Sequence, residues 1–320
     1  MSVLVPMAPI NFKVTTMMKK ILWQLCVLCV LGVSSTSALA DIRVFTCEPE
    51  LEALVKTLGG DKVTVSVATH AKQDVHHIQA RPSLINKVRR ADMVVCTGAS
   101  LEVGWLPVLL KKGANPAVQK APGLFMAAEH VDLLGQVEVV DRSKGDVHPE
   151  GNPHAFQDPN RLLLIAEALA ERLAVLDSDN KAYYVNRFAD FKGRWLAAIA
   201  EWEKKAAPLK GKGVVVHHKS WGYFLNWLGM NMVASIEPLP GIPPTTSHLS
   251  KLVKKMESEP AYAIVRAPYT DKKGSLWLSK RTNICVVELA YTVGGSKQAL
   301  DLFGLFDSMI DQLLEAKDCQ

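Results

Sequence analysis

Past its first forty residues the 320-residue chain has no Cys-x-x-Cys pair, and nowhere does it carry a His-Glu-x-x-His motif, an internal repeat or a low-complexity stretch. The first absence argues against a thiolate metal site, and the second removes the helix-borne zinc motif of many metalloproteases. Charge of one sign is scarce as well. Of 37 basic residues, three lie in residues 1–40, which hold no acid, so 34 face 32 acidic residues in the remainder. A balance so near neutral gives no reason to expect nucleic acid or a charged membrane surface as partner. Long apolar runs are missing too: Ile21–Val33 is shorter than the roughly 20 residues that a membrane span needs.

That short run has another reading. Met17-Met18-Lys19-Lys20 supplies a basic region, Ile21–Val33 an apolar one, and Ala38-Leu39-Ala40 a small-residue cleavage site. Together they predict a signal peptide cut after Ala40 and export to the periplasm, with the first sixteen residues preceding the true start at Met17 or Met18. Cys26 and Cys29 do not end a lipobox-like tetrapeptide, so a soluble rather than lipidated product is expected. Four cysteines remain after cleavage, an even number that suggests disulfides in an exported chain. Cys47 and Cys96 each end an apolar run and suit one sheet edge, giving a predicted pair. Cys285 and Cys319, both C-terminal, give the other.

Short β-branched runs alternate with helical patterns, which predicts an α/β fold with mainly parallel sheets. Strands are expected at "IRVFT", "KVTVSVA" and "DMVVCTG", with helices at "ELEALVKTLGG", "PSLINKVRRA" and "EVGWLPVLLKKG". From Asn160 two long helices follow. In the second, Tyr184, Phe188, Phe191, Trp195, Ile199 and Trp202 recur at helical spacing. Strand and helix then alternate again from "GVVVHH" to a closing helix over "SKQALDLFGLFDSMIDQLLEA". The expected organisation is a leader (1–40), a first lobe (41–178), a linking helix (179–207) and a second lobe (208–320), the two lobes being of ordinary domain size.

Three segments carry histidine where open α/β sheets gather ligands, beyond the carboxyl ends of strands or just before helices. They are "AKQDVHHIQARPS" with His76 and His77, "GNPHAFQDP" with His154, and "VVHHKSWGYF" with His217 and His218. Neutral imidazoles from three places, completed by a carboxylate or water, make a tetrahedral shell for zinc or a similar cation. A lone loop histidine is more often a solvated side chain. His70, His130, His148 and His248 are read that way, and Asp74 and Asp158 as turn formers or helix caps; His148, close to His154, could line the site, but a surface-loop role is preferred.

The same segments resemble the ligand-bearing motifs of periplasmic receptors that serve zinc- and manganese-specific ABC importers. Asp74-Val75-His76 with Pro82 is similar to their first motif, and Gly151-Asn152-Pro153-His154-x-Phe156-x-Asp158-Pro159 to the second. His218, four residues before Gly222-Tyr223-Phe224, resembles the third, and "EPLPGIPPTTSHL" their Glu-Pro loop. The resemblance, from about Val44 to the C-terminus, selects His76 over His77 and His218 over His217. It implies two α/β lobes on a rigid helix with one metal between them. The aspartate that many members place after the last strand is missing from "VVELAYTVGG", which leaves Glu288 or, in preference, water as fourth partner. A histidine at 218, where manganese members often carry Glu, implies Zn2+ in preference to Mn2+. The long His/Asp-rich loop of some zinc members is absent.

The expectation is a monomeric, non-enzymatic receptor that captures zinc and delivers it to the membrane permease of an ABC importer. An exported zinc-dependent hydrolase, which would also use three histidines and an open position, and a metal-binding adhesin or metallochaperone are the alternatives.

Overall fold

Strand β1 (Ile42–Thr46) leads into helix α1 (Pro49–Gly59), then β2 (Val63–Val67), α2 (Pro82–Arg90), β3 (Met93–Cys96), α3 (Leu106–Gly113) and β4 (Leu124–Met126). The computed structural model describes residues 1–3, 41–136 and 148–319, so the expected leader lies almost wholly outside the described residues. The four strands are parallel in the order β2-β1-β3-β4. Helices α4 (Pro159–Leu176) and α5 (Lys181–Ala206) follow. The second sheet comes from β5 (Gly213–Val216), α6 (Gly222–Trp227), β6 (Asn231–Ser235), α7 (Thr246–Ser258), β7 (Ala263–Arg266), α8 (Lys272–Thr282) and β8 (Val286–Glu288), and α9 (Leu302–Glu315) closes the fold. Its order, β6-β5-β7-β8, repeats the winding of the first sheet, again all parallel. In each lobe the chain reverses direction across the sheet at the first strand, and the crevice beyond that strand's carboxyl end is where such sheets hold ligands.

Three local departures from the predicted elements have physical causes. Helix α3 begins at Leu106 rather than near Glu102, because Pro107 suits only the first turn of a helix. The Glu102 carboxylate instead accepts the N–H groups of Thr97 and Gly98. Helix α9 starts at Leu302 rather than near Ser296, since Asp301 caps it by accepting from the Gly304 N–H. Strand β4 is three residues long, too short for alternation to reveal it.

The predicted apolar face of α5 is buried at Tyr184, Phe191, Trp195, Ile199 and Trp202. At about 1.5 Å per residue this 26-residue helix is roughly 40 Å long, and it is tied to both halves. Arg187 donates to the Thr57 carbonyl of α1 at 2.9 and 2.6 Å. Trp202 donates Nε1–H to Asp307 of α9 at 2.8 Å and stacks on Phe306. One continuous apolar core runs from Val44 and Leu54 through Trp195 to Val216, Phe224 and Phe306, with smaller clusters on the far face of each sheet.

Cys47 and Cys96 are bonded, at the carboxyl ends of β1 and β3 as expected. Cys285 is also disulfide-bonded; the side chain of Cys319, its expected partner, lies outside the described residues.

Candidate metal centre

One ring nitrogen from each of His76, His154 and His218 lies within 4.8 Å of the other two. Three segments, far apart in sequence, thus bring imidazoles to one place, and each ring is held from behind. His76 sits in a single 3-10 turn capped by Asp74, whose Oδ1 accepts the His76 backbone N–H at 3.0 Å and its Nδ1–H at 2.8 Å. Trp105 fixes that turn by donating Nε1–H to the Val75 carbonyl at 2.8 Å. Burial works to raise the Asp74 carboxyl, but the bonds and charge of His76 outweigh it and bring it down to about 2.

His154 is almost wholly buried at 2% exposure. Its Nδ1 faces the Tyr291 hydroxyl at 2.5 Å, and its backbone N–H donates to the Asn152 side chain at 3.0 Å. Asn152 in turn donates to the Lys219 carbonyl at 3.2 Å, and Tyr223 donates its hydroxyl to the Asn152 carbonyl at 2.7 Å, so the loop is stitched to the second lobe. Gly151 needs to be glycine: its φ is +121°, and a Cβ there would stand 2.7 Å from Leu133. Asp158 caps α4 through the Asn160 N–H, the cap role expected for it. Burial first, then neighbouring His76, His218 and His148, hold the His154 imidazole well below its usual range, which keeps it neutral.

His218 follows β5 and meets Glu237 through Nδ1 at 2.7 Å. Glu237 also accepts the Gly241 N–H at 3.0 Å, so the Glu-Pro loop supplies the buttress of this histidine. His217 continues the strand, its N–H donating to the Val265 carbonyl, and its imidazole is held low chiefly by burial. A cavity of about 460 Å³ opens beside His76 and His218, lined also by Pro243, Tyr269 and Trp277.

A second close trio, Cys47, Cys96 and Glu102, offers no thiolate because both sulfurs are in the disulfide. Glu288 lies apart from the imidazoles: it faces Arg266 on neighbouring β7 in an ion pair and is about half exposed. His148 is not the surface residue expected of it, for its Nε2 stands 3.3 Å from His76 Nε2. Its closeness to His154, six residues on, marked it as one that could line the site, but a surface-loop role was preferred. Sequence reasoning passed over Tyr291, for which no spacing signal exists.

Two identically wound α/β lobes, bridged by a long helix and joined over a shared crevice, define the two-lobed binding-protein class. Residues 44–316 match the family described as zinc-uptake complex component A, periplasmic (ZnuA), and the chain belongs to that family of metal ABC-transporter substrate-binding proteins. The manganese ABC transporter substrate-binding lipoprotein PsaA of Streptococcus pneumoniae is 24% identical over 276 residues, covering 84% of this chain and 86% of PsaA. The crystal structure of ZnuA superposes with a TM-score of 0.72 at 21% identity, over 85% of this chain and 98% of that one. A periplasmic metal binding protein from Candidatus Liberibacter asiaticus gives 0.70 at 16%, over 86% and 99%. Family members hand metal to an ABC permease and are not enzymes, so the hydrolase alternative is set aside.

Proposed function

We propose that this protein is exported, captures zinc between its lobes through His76, His154 and His218, and delivers it to the permease of an ABC importer. The observation that carries the reading is the convergence of three imidazoles whose Nδ1 atoms are engaged by Asp74, Tyr291 and Glu237. With Nδ1 spoken for, Nε2 is the nitrogen offered to an ion, the usual arrangement in which a partner behind the ring fixes ligand and tautomer. A tetrahedral ion with nitrogen at 2.0–2.1 Å sets nitrogens about 3.3–3.4 Å apart, a spacing that fits inside the 4.8 Å within which the trio lies.

The choice of zinc rests on donor chemistry. Asp74 and Glu237 point at imidazole Nδ1 atoms, and an imidazole set suits zinc where manganese prefers added carboxylate. PsaA is named for manganese, so metal choice is the finer claim. Export, with cleavage after Ala40, agrees with Asp41–Gln320 forming one compact unit and with no described helix being long and apolar enough to cross a membrane.

Native mass spectrometry of the purified mature protein, with and without His154→Ala, tests the reading. One equivalent of zinc in the wild type and none in the variant is expected. Preferential retention of manganese from an equimolar mixture would overturn the zinc assignment alone. Unchanged zinc in His154→Ala would overturn the site.

A further inference from the structure

We infer that His148 is the fourth ligand, so that the metal sits in a shell of four imidazoles. This rests on the receptor reading above and names the partner that the missing aspartate leaves open. His148 donates its Nδ1–H to the Ala99 carbonyl at 3.1 Å, and a carbonyl only accepts, so the neutral ring carries its lone pair on Nε2. His76 is fixed in the same tautomer by the Asp74 carboxylate. The two Nε2 atoms nevertheless face each other at 3.3 Å. Lone pair against lone pair is repulsive unless a proton or a metal ion lies between them, and this separation is also the edge of a tetrahedron around an ion with nitrogen at 2.0–2.1 Å.

The His148 ring also stands beside two of the other three. Centroid separations from His148 are 5.4 Å to His76 and 6.4 Å to His154, beside 5.7 to 6.0 Å among the other three. The backbone around His148 is anchored rather than free. Gly151 donates its N–H to the His148 carbonyl at 3.2 Å, and Ser100 donates its hydroxyl to the Glu150 carboxylate at 2.9 Å. The acceptor behind the ring is set by an unusual turn. Gly98, Ala99 and Ser100 all have positive φ (81°, 48° and 62°), a conformation that costs L-residues energy and here presents the Ala99 carbonyl. Glu288, the carboxylate nearest in sequence to the missing aspartate, is taken by Arg266. A shell of four neutral nitrogens favours zinc over manganese, magnesium and calcium, all of which seek oxygen.

X-ray absorption of the zinc-loaded mature protein counts the ligands, with zinc affinity read by competition against a chelator. Four imidazoles are expected in the wild type. His148→Ala should lose one imidazole, bind zinc about tenfold to a hundredfold more weakly, and narrow the preference for zinc over manganese. His148→Cys should add a zinc–sulfur distance near 2.3 Å, a signature that a merely structural role for the residue would not produce. Three imidazoles with an oxygen in the wild type, or affinity and count unchanged in His148→Ala, overturn the proposal while leaving the three-histidine receptor standing. A wild type that holds no zinc at all, or His154→Ala that holds it normally, overturns the receptor reading and this inference with it.

Discussion

The four histidines of the cluster are locked by three kinds of acceptor: a carboxylate on His76 and on His218, a phenol on His154 and a peptide carbonyl on His148. Behind them lies a patch of buried acid. Glu48, Glu50 and Glu102 are all at most 2% exposed, and Thr292, next to Tyr291, donates its hydroxyl to Glu50. Burial raises the Glu50 carboxyl to about 7 against the lowering effect of Thr292. Burial and then the carboxylates of Glu102 and Glu50 push Glu48 well up, and burial raises Glu102. An unfolded Glu titrates near 4.3, so the folded state holds this proton more tightly. The stabilisation is complete below that unfolded value and is lost as pH rises to about 7. In the metal-free protein the buried Glu50 should therefore pull melting temperature down between about pH 4.5 and 7, against the opposite pull of His154, whose burial holds it neutral and costs stability as pH falls. Glu50→Gln should flatten part of that slope, by roughly 2–3 kcal/mol at neutral pH, read by urea unfolding across pH. The three histidine segments were legible from their places beyond strand ends or before helices, while the choice of His76 over His77 and of His218 over His217 came from the family resemblance. Glu237 was visible only as part of a loop, His148 only as a neighbour of His154, and Tyr291 not at all, because what makes them matter is contact across long sequence separations.

At the level of elements, α5 decides how the two sheets stand to each other. Its pattern was readable because large apolar side chains, mostly aromatic, recur every three or four residues from Tyr184 to Trp202. Gly193 breaks that pattern on the exposed side, and a Cβ there meets nothing within 4 Å. Glycine in a helix interior costs roughly 0.5–1 kcal/mol relative to alanine. Gly193→Ala should raise unfolding free energy by about that amount and leave metal binding unchanged, as denaturant titration and metal content would check. A stability loss would overturn this account of Gly193. The elements that escaped the sequence reading are those set by single residues rather than by period. Pro107 moves the start of α3, Asp301 moves the start of α9, and β4 owes its existence to pairing with β3.

Across the molecule, a ligand that bridges the lobes should act as a clamp. With zinc at a hundred times its dissociation constant, mass action adds about 2.7 kcal/mol to stability. Unfolding of the wild type should therefore shift upward on adding zinc, while His154→Ala should show no shift in the same scan. The repeated winding of the two sheets was hidden from the sequence, which has no internal repeat: shared topology needs only a shared order of strands, not shared side chains. The continuous core has a bearing on delivery. Trp195, Trp202, Phe224 and Phe306 are sealed together where the halves join, and prising the halves apart like a book would wet all four aromatics. A release that keeps them dry would have to start at the rim, by breaking the bonds that Trp105 and Asp74 make to the turn bearing His76, or those of the loop from Glu237 to Gly241.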